Sequence, residues 1–548
     1  MPARERMSPV DTAWLRMDRP SNLMMIVGVL HLAKPVDASR LRATLQRRLV
    51  QRFRRFRQRV VNDWPGWWWE DDPEFDLDHH FVRRALPPPA GRRELQDLVS
   101  ELATEKLHPQ RPLWRFDLIE DCDGGAAVVT RIHHCIADGI ALVGVMLSLT
   151  DLSADAPADA PDASPSLDEP GEDTDACAAP QGSAHLAPDW HTDPWAALLD
   201  PLAQATHAAL GLGERFWEES QVTLAQPDRL VALGRHAAGF ANELTKLLAM
   251  PPDSPTRLKG HTSSHKRVAW CEPISLAEVK AVSKALGCSV NDLLLNAVAG
   301  ALREYLARRG DPLEEVQLRA MVPVNLRRSA DEGRLGNRFG LVTLLLPLYE
   351  ANPFARLQLL RERMLELRGS YQPPLTLMLL GATGLLPKAM QEPFLDVLAS
   401  KASAVMTNVP GPTQPLYLAG QPVDQMMFWV PQSGNIGIGV SILSYNNTVQ
   451  FSLIADRHFI PDPENVTPLF AAEFEKIVTG TLLHDWVTPL EAQAFESRLE
   501  RELAPPPVVQ PDRSSSPPRS RTSPIPSPIP SPAPSAAARR APRRKRPT

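Results

Sequence analysis

The chain has 548 residues, a hydrophobic content of 43% and a formal net charge of −5 at pH 7. Because this length exceeds one ordinary core, we expect two domains and connecting material. Five scattered cysteines without a Cys-x-x-Cys pair argue against a disulfide framework or a zinc site and favour a reducing cytoplasm. The N-terminus lacks the apolar stretch of a signal peptide, and no apolar run reaches the length of a membrane span, so we expect a soluble or surface-bound protein.

Residues 1–152 are predicted to form a first α/β domain, because strand-like and helical patterns are mixed along them. Apolar, β-prone runs predict strands at Leu23–Leu32, Trp67–Glu70 and Leu113–Ile119. Apolar residues at helical spacing predict helices at Asp37–Arg57 and Arg92–Lys106. This mixture favours a sheet with helices on its faces.

The most informative segment is residues 131–139, which read Arg-Ile-His-His-Cys-Ile-Ala-Asp-Gly. The apolar run before it (126–132) predicts a strand, and the apolar run after it (140–149) predicts a helix. The turn between them therefore presents imidazole at the end of a sheet. Histidine can take and return a proton near neutral pH, and Gly139 allows a backbone path or a close ligand approach that a Cβ would block. The segment predicts a general-base site.

Residues 153–256 separate this region from a second one. Residues 153–190 are acidic, rich in Pro and Ala and poor in large apolar residues, so they are predicted to be a disordered linker. Residues 191–256 show helical spacing of Leu, Ala and Trp and are predicted to be a helical connecting segment.

Residues 257–500 are predicted to form a second α/β domain. Helical spacing predicts helices at Ser275–Leu286, Val290–Arg308 and Ala471–Leu483. Apolar, β-prone runs predict strands at Leu318–Val324, Leu341–Leu348, Met426–Val430, Ile436–Leu443 and Thr448–Ala455. Residues 504–548 are a basic Pro/Ser/Arg-rich tail with about +8 of charge, predicted to be disordered because it contains almost no core-forming residues.

Six further motifs accompany the histidine segment in a fixed order. They are Ser8-Pro-Val-Asp11, Pro112-Leu-Trp114, Val290-Asn-Asp292, Val322-Pro-Val-Asn-Leu-Arg327, Leu335-Gly-Asn337 and Thr407-Asn-Val-Pro-Gly-Pro412. With this set, the chain resembles the bacterial wax ester synthase/acyl-CoA:diacylglycerol acyltransferase family over roughly residues 8–490, except for the acidic linker. The histidine motif alone is also similar to chloramphenicol acetyltransferase, peptide-synthetase condensation domains and plant alcohol acyltransferases. The departures are small: Cys135 stands where the family often has Ala, and Thr407 where Ser is common.

The resemblance implies an α/β fold with two chloramphenicol-acetyltransferase-like domains, 1–152 and 257–500, and a tunnel between them. It also implies a CoA-dependent O-acyltransferase. The enzyme would move a long acyl chain from acyl-CoA to diacylglycerol, a fatty alcohol or both. We expect no metal and no cofactor beyond the acyl-CoA substrate, and no covalent acyl-enzyme. No Gly-rich phosphate loop is present, so dispersed basic residues must bind the CoA phosphates.

The resemblance also implies roles for the motif residues. His134, four residues before the aspartate, would be the general base that accepts the hydroxyl proton, and His133 would support it from the other side of the strand. Asp138 would pair with an arginine and hold the turn, with Arg327 as one candidate.

The oxyanion of the tetrahedral intermediate needs donors in place. The backbone amide of Gly139, at a helix N-terminus, is suited to this role. Asn291 is a second candidate for the oxyanion or the substrate, although Asn is also a common helix cap.

Two other motifs are predicted to line the substrate channel. Pro112, Leu113 and Trp114 would form a packing or channel element. The rigid segment 407–412, which contains Asn408, Pro410 and Gly411, would form a wall of the tunnel or a domain contact.

Two alternative chemistries find less support. Cys135 beside His134 suggests a nucleophilic thiol, but adjacent side chains rarely meet and a small buried thiol is the commoner case. A metal site formed by His133, His134 and Asp138 is similarly disfavoured, and the His79–His80 pair is interpreted as structural.

Diacylglycerol and long-chain alcohols reside in bilayers or lipid droplets, so we expect a cytoplasmic protein that associates peripherally with the inner face of the plasma membrane or with lipid droplets. The nine arginines of residues 40–59 can contact anionic lipid or form a solvated helix face. The basic tail can act in the same way, and we expect no specific nucleic-acid partner. The alternative functions are a condensation-type acyltransferase with another hydroxyl or an amine acceptor, and a non-catalytic lipid-surface binding protein.

Overall fold

The computed structural model describes residues 4–64, 66–156, 239, 242–327 and 335–484. Most of the predicted linker and of the predicted helical connecting segment lie outside these residues, as does the whole predicted tail at 504–548. Of the connecting segment, residues 242–249 are helical. The predicted domain bounds stay a prediction.

Two seven-stranded sheets dominate the described residues. The strands are β1 (Arg4–Arg6), β2 (Met25–Leu32), β3 (Gln58–Asp63), β4 (Gly66–Asp71), β5 (Phe81–Arg84), β6 (Trp114–Cys122), β7 (Gly125–His133), β8 (Thr150–Asp151), β9 (Lys266–Trp270), β10 (Ile274–Ser275), β11 (Gln317–Asn325), β12 (Phe339–Pro347), β13 (Ala404–Pro410), β14 (Tyr417–Leu418), β15 (Gln421–Trp429), β16 (Ile438–Tyr445) and β17 (Thr448–Asp456). The first sheet has the order β5-β6-β7-β2-β15-β14-β8 and the second β10-β17-β16-β13-β11-β12, with β9 beside β17. Strands β1, β4 and β3 form a small third sheet.

Helices cover the faces of the sheets. The α-helices with named bounds are α1 (Pro9–Met17), α2 (Ala38–Thr44), α3 (Arg92–Leu102), α4 (Gly139–Ser148), α5 (Leu276–Leu286), α6 (Val290–Arg308), α7 (Pro353–Arg368), α8 (Gln372–Leu385), α9 (Lys388–Ser400) and α10 (Thr467–Leu483). A π-helical stretch (Leu45–Gln51) follows α2, and short 3-10 turns cover Arg54–Arg57, Leu77–His79 and Pro463–Asn465. No single described helix has the length and apolar character of a membrane span, whereas α5 and α6, bent by 101° at their junction, meet that test only as a pair.

The first sheet is buried on both faces, which explains why every residue of β7 is buried. On one face, Val27 and Val29 pack against Leu95 and Val99 of α3. The opposite face belongs to a second core that includes α4. Strands covered on both sides are continuous apolar runs, as the sequence of β7 is.

Strand β15 comes from the C-terminal half but completes the N-terminal sheet. It pairs antiparallel with β2, with Trp429 opposite Val27 and Met426 opposite Leu30. The sequence predicted a strand at Met426–Val430 but not its exchange between the halves. Because of the exchange, residues of both halves line the space beside β2.

Most predicted elements are confirmed, with shifted ends. The helix predicted at Val290–Arg308 is confirmed at both ends, since Ser289 caps it and Asp292 completes a capping box. The single helix predicted at Asp37–Arg57 is wrong as one element, because regular α-helix ends at Thr44 and gives way to π and 3-10 turns. Segment 407–412, predicted as a rigid wall, contains the end of strand β13, which lies between β11 and β16.

Candidate active site

The histidine segment forms the predicted strand, turn and helix. Strand β7 ends at His133, and helix α4 begins at Gly139. Asp138 is the N-cap of α4, because its side chain accepts a hydrogen bond from the Ala141 amide at 2.9 Å. The turn therefore places His134 between the end of a sheet strand and a helix N-terminus.

His134 is held in a defined position and is only 2% exposed. Its backbone amide donates to the Met24 carbonyl at 2.7 Å. Its imidazole stacks on the indole of Trp14, with ring centroids 4.0 Å apart and planes 16° apart, and Phe339 lies on a tilt at 5.5 Å. Aromatic contacts on two sides restrict rotation of the ring.

Burial lowers the pKa of His134 to about 4, although the negative charge of Asp138 opposes the shift. The imidazole is therefore neutral at neutral pH and can accept a proton. Burial also lowers the pKa of His133 to about 4. The His133 ring accepts a hydrogen bond from the Cys135 amide at 3.1 Å, and its Nε2 lies 3.9 Å from Asp18.

Asp138 connects the turn to the C-terminal half of the chain. Its Oδ2 accepts hydrogen bonds from Arg327 Nη2 at 2.7 Å and from the Arg338 amide at 2.9 Å. Both side chains of the ion pair are buried, with 7% of Arg327 and 4% of Asp138 exposed. Arg327 also donates to the Gly336 carbonyl at 2.5 Å. Arg327, the candidate from the sequence, thus pairs with Asp138 through its side chain, and Arg338 bonds Asp138 through its backbone amide.

Asn337 forms a second connection that the sequence did not assign to the site. Its Nδ2 donates to Asp11 Oδ1 at 2.8 Å and to the His134 carbonyl at 2.9 Å. Burial raises the pKa of Asp11 to about 6, and the hydrogen bonds that its carboxylate accepts from Asn337 and Ser8 oppose the shift. The motifs Ser8-Pro-Val-Asp11 and Leu335-Gly-Asn337 therefore meet beneath the catalytic turn.

Trp14 is the other residue that the sequence analysis missed. It lies on α1, which is capped by Ser8 and packs against α8. The motif around Ser8 marks the start of this helix, but nothing in a single sequence shows that an indole 120 positions earlier stacks on His134.

Asn291 is the second residue of α6, and the cap is Ser289, so Asn291 is not the helix cap. Its Oδ1 accepts a hydrogen bond from Asn408 Nδ2 at 2.9 Å. Asn408 in turn lines the cavity that contains His134. The structure thus joins two predicted site residues from different motifs into one polar pair.

The predicted channel residues separate into two groups. Trp114 is 1% exposed, stacks on His80 with centroids 4.5 Å apart and donates from Nε1 to the Phe56 carbonyl at 2.9 Å. Two cavities lie near this region, one around His134 and one between β2 and α4. Neither is lined by Pro112, Leu113 or Trp114, so the contacts of these residues are those of a packing element. Asn408 and Gly411 each line a cavity, whereas Pro410 lines neither.

The catalytic cavity, defined by His134, Asp138, Gly139, Asn408 and Phe428, encloses about 770 Å³ including the solvent at its mouth. Strands β11, β12 and β13 of the second sheet supply further walls, and the others come from Trp14, from Ile140 and from the segment that follows β15. The cavity therefore lies between the halves of the chain, with His134 on the N-terminal side.

Two other chemistries fit the geometry poorly. Burial raises the pKa of the Cys135 thiol well above its ordinary value, so this sulfur stays protonated. Away from the cavity, possible metal-ligand atoms of His31, Cys122 and Asp123 lie within 4.8 Å of one another. Burial raises the pKa of Cys122 to about 12, and a protonated thiol is a poor metal ligand.

Comparisons with known proteins agree with this geometry. The model of the wax ester synthase/diacylglycerol acyltransferase catalytic domain matches residues 7–294, and the model of the WS/DGAT C-terminal domain matches residues 335–478. The chain is 28% identical over 399 residues to a probable diacylglycerol O-acyltransferase, tgs1, of Mycobacterium tuberculosis, covering 72% of this chain and 77% of that protein. A second such protein of the same organism, tgs2, is 29% identical over 401 residues, covering 72% and 79%.

Solved structures show the same fold. The wax ester synthase/diacylglycerol acyltransferase from Marinobacter aquaeolei superposes with a TM-score of 0.58 at 20% identity, covering 87% of this chain and 100% of that chain. The first condensation domain of the calcium-dependent antibiotic synthetase superposes with a TM-score of 0.54 at 14% identity, covering 87% and 96%. The predicted α/β fold class with two chloramphenicol-acetyltransferase-like domains is confirmed.

Proposed function

Because this chain belongs to the wax ester synthase/diacylglycerol acyltransferase family and is an acyltransferase, we propose that His134 is its general base. The reaction moves a long acyl chain from acyl-CoA to the hydroxyl of diacylglycerol, of a fatty alcohol or of both. The observation that carries the proposal is a buried imidazole, fixed by Trp14 and the Met24 carbonyl, in the wall of a cavity between the two halves. The names of the relatives support both acceptors.

The steps need only the chain's own groups, acyl-CoA and the acceptor. The acceptor oxygen attacks the thioester carbonyl as His134 removes the hydroxyl proton, which is typically worth about 10²–10⁴ in rate. The tetrahedral oxyanion accepts a hydrogen bond from the Gly139 amide at the N-terminus of α4. Collapse of this intermediate breaks the C–S bond, and the imidazolium returns its proton to the CoA sulfur. No covalent acyl-enzyme forms, and no metal or bound cofactor takes part.

Six polar residues support these groups without taking the proton themselves. Asp138 and Arg327 hold the catalytic turn against the C-terminal half. Asn337 fixes the His134 carbonyl and thereby the backbone from which the imidazole projects. Asn291, paired with Asn408, supplies a second polar contact for the oxyanion or the substrate, and His133 supports the strand end.

We also propose that the protein is cytoplasmic and binds lipid surfaces peripherally. The strongest support is Trp64, which is 92% exposed at the tip of the β3–β4 hairpin. Tryptophan favours the polar boundary of a bilayer. The arginines of residues 40–59 support the proposal less than their number suggests, because several pair with carboxylates: Arg42 with Asp78, Arg48 with Asp151, Arg54 with Asp71, Arg55 with Glu5 and Arg59 with Glu70.

The test of the chemistry is CoA release by the purified full-length protein given palmitoyl-CoA, with dioleoylglycerol and hexadecanol offered separately. We expect release to require an acceptor and to be abolished in His134→Ala. His133→Ala, at the adjacent buried position, should reduce turnover less and serves as the matched variant. Equal turnover in wild type and His134→Ala would contradict the general-base assignment. If neither dioleoylglycerol nor hexadecanol stimulates CoA release, the substrate assignment is contradicted and a different acceptor is favoured.

A further inference from the structure

The connection from α1 to β2, residues 18–24, carries a backbone contact of the catalytic histidine, and we call it the α1–β2 bend. The bend closes on itself. The Arg19 amide donates to the Asn22 carbonyl at 3.2 Å, and the Asn22 amide donates to the Arg19 carbonyl at 3.0 Å. At the end of the bend, the Met24 carbonyl accepts from the His134 amide at 2.7 Å. The position of the bend therefore fixes the backbone from which the imidazole projects.

The side chain of Asn22 joins this bend to the C-terminal half of the chain. The residue is buried, with 1% of its surface exposed. Its Oδ1 accepts a hydrogen bond from Lys266 Nζ at 2.7 Å. Its Nδ2 donates to the carbonyls of Gly434 at 2.6 Å and of Ile436 at 3.2 Å. One amide group thus makes three hydrogen bonds to the opposite half.

Lys266 of β9 fixes the orientation of that amide. Because an ammonium group only donates hydrogen bonds, Asn22 must present its oxygen to Lys266 and its N–H groups to the two carbonyls. Lys266 is itself buried beside Asp456, with side chains 5% and 0% exposed and Nζ 3.5 Å from Oδ2. Asp456 is held in turn by hydrogen bonds from the amide and the hydroxyl of Ser263. A buried ion pair therefore stands behind a single amide whose two N–H bonds end on one segment.

That segment, residues 430–436, lies in the connection between β15 of the first sheet and β16 of the second, and we call it the wall segment. Its residues Val430, Pro431 and Ser433 line the catalytic cavity. Asn22 binds the carbonyl of the residue directly after Ser433. A shift of that carbonyl would therefore move a part of the cavity wall.

We propose that Asn22 is a positioning residue for the reaction and holds the wall segment at a fixed distance from His134. This inference rests on the proposed function, because it takes His134 as the base and the wall segment as a surface that the acceptor contacts. The bend orients the His134 backbone through Met24, and Asn22, two residues earlier, holds the wall segment. The acceptor hydroxyl must lie within hydrogen-bond reach of the imidazole while the rest of the acceptor lies against the wall. The distance between these two surfaces thus decides how often the reactive geometry forms.

The test removes the donors of Asn22 and keeps its shape. In Asn22→Asp, one oxygen can still accept from Lys266, but the other would face two carbonyl oxygens without a proton to donate. The matched control is Asn296→Asp in the C-terminal half. Asn296 is 0% exposed, its Oδ1 accepts from Arg356 Nε at 2.9 Å, and its Nδ2 donates to the Pro353 carbonyl at 3.0 Å. Because Asn296 lines neither cavity, the control loses the same kind of contact away from the site.

We measure kcat/KM for hexadecanol with palmitoyl-CoA as donor, per folded molecule, with the folded fraction taken from circular dichroism at the assay temperature. We expect Asn22→Asp to lower this value about 10²-fold, the effect of misplacing reacting groups by about 1 Å. Asn296→Asp should keep the wild-type value per folded molecule even where it lowers stability. Asn22→Ala, which adds no charge, serves if Asn22→Asp does not fold and should show a loss as well. Wild-type values in the Asn22 variant would overturn the inference, as would an equal loss in the Asn296 control.

Amide hydrogen exchange tests the positioning without turnover and separates failure of this inference from failure of the proposed function. Peptides that cover residues 131–139 and 430–436 are followed by mass spectrometry in the wild type and both variants. We expect exchange in both peptides to quicken about 10-fold in Asn22→Asp, the change expected when a typical hydrogen bond is lost, and to stay at the wild-type rate in Asn296→Asp. Unchanged exchange in either peptide of Asn22→Asp would overturn the inference. If His134→Ala proves as active as the wild type, the proposed base is wrong, whereas faster exchange in both peptides would still support the coupling through Asn22.

Discussion

Two helix N-termini, those of α4 and α6, each contain an aspartate, but the two aspartates differ in what they bond. At α6, Ser289 and Asp292 bond to each other's backbone and, among the described residues, their side chains make no bond to the other half, so the cap is local. At α4, Asp138 uses Oδ1 for the local cap and Oδ2 for Arg327 and Arg338, nearly 200 positions later in the chain. The cap of α6 only starts its helix. The cap of α4 also binds the turn containing His134 to the C-terminal half of the chain.

The comparison explains why a carboxylate at position 138 suits the site. A hydroxyl could cap α4 equally well, as Ser289 caps α6. Only a second anionic oxygen can also satisfy a buried guanidinium from the other half. The catalytic turn therefore depends on both halves being in place.

The largest expected effect comes from removing the two roles of Asp138 together. Asp138→Ala leaves Arg327 buried without its partner, which typically costs about 3–5 kcal/mol in the free energy of unfolding. Turnover should fall as well, because the turn is released from the C-terminal half. Urea unfolding measures the first effect and CoA release the second.

The matched control is Asp292→Ala, which removes one acid from the local cap of α6. We expect about 1 kcal/mol from the loss of this capping interaction. Equal costs for the two variants would contradict the distinction between a local cap and a connecting one.

Asp138→Asn separates the two roles. Asparagine caps helices as well as aspartate does, so its oxygen can still accept from the Ala141 amide. Its amide group, however, would face the donors of Arg327 and Arg338, and lost hydrogen bonds to a charged group cost about 2–3 kcal/mol. We expect the helix content by circular dichroism to be retained while stability and turnover fall. Wild-type turnover would show that the connection to Arg327 is dispensable for catalysis.

Much of the fold and part of the site could be predicted because their signals are local. The ends of α6 follow from a Ser-x-x-Asp cap and apolar spacing, and the strand–turn–helix around His134 follows from two apolar runs separated by polar residues. The family resemblance, carried by motif order, is also confirmed. Arg327 could be named as a candidate because its motif was already singled out.

The remaining features depend on contacts between distant parts of the chain. Nothing near Trp14 indicates that its indole stacks on His134, and nothing near Asn337 indicates that it bridges Asp11 and the catalytic turn. The sequence at the end of strand β13 is typical of a rigid loop, because Pro410 and Gly411 disfavour regular strand pairing. Pro410 is the last residue of the strand, however, so the pairing of β13 with β16 is kept along its length. The residues of β15 likewise do not indicate that this strand joins the sheet of the N-terminal half.

The buried histidines of the turn before α4 should also make the free energy of unfolding depend on pH. The pKa of His133 and of His134 is about 4 in the folded chain, below the ordinary value of 6.5, so the unfolded chain takes up these protons first as the pH falls. The free energy of unfolding therefore decreases between about pH 6.5 and 4. Asp11 acts in the opposite direction, because its folded pKa of about 6 lies above the ordinary 3.8.

Burial also lowers the pKa of His80 to about 4, so with three histidines against one aspartate we expect a net loss of about 4 kcal/mol between pH 7 and pH 5. Urea titrations at the two pH values measure it, and His133→Gln, which removes one titrating group, should make the loss smaller. A free energy of unfolding that rises on acidification would show that Asp11 dominates. The same neutral His134 predicts that the acid limb of kcat/KM lies near pH 4.

The smallest expected effect comes from Ser289→Ala, which tests whether the cap of α6 positions Asn291 in the site. The variant removes the hydrogen bond from the Asp292 amide and should cost about 1 kcal/mol. Because α6 is buried along most of its length in the core of the C-terminal half, fraying should stop within its first turn, which holds Asn291. If Asn408 and β13 hold the Asn291–Asn408 pair in place, kcat/KM stays at the wild-type value. If the helix cap positions the pair, kcat/KM falls in Ser289→Ala and returns to the wild-type value in Ser289→Thr. The first result is expected, since a local cap starts the helix, whereas the cap of α4 also connects the two halves.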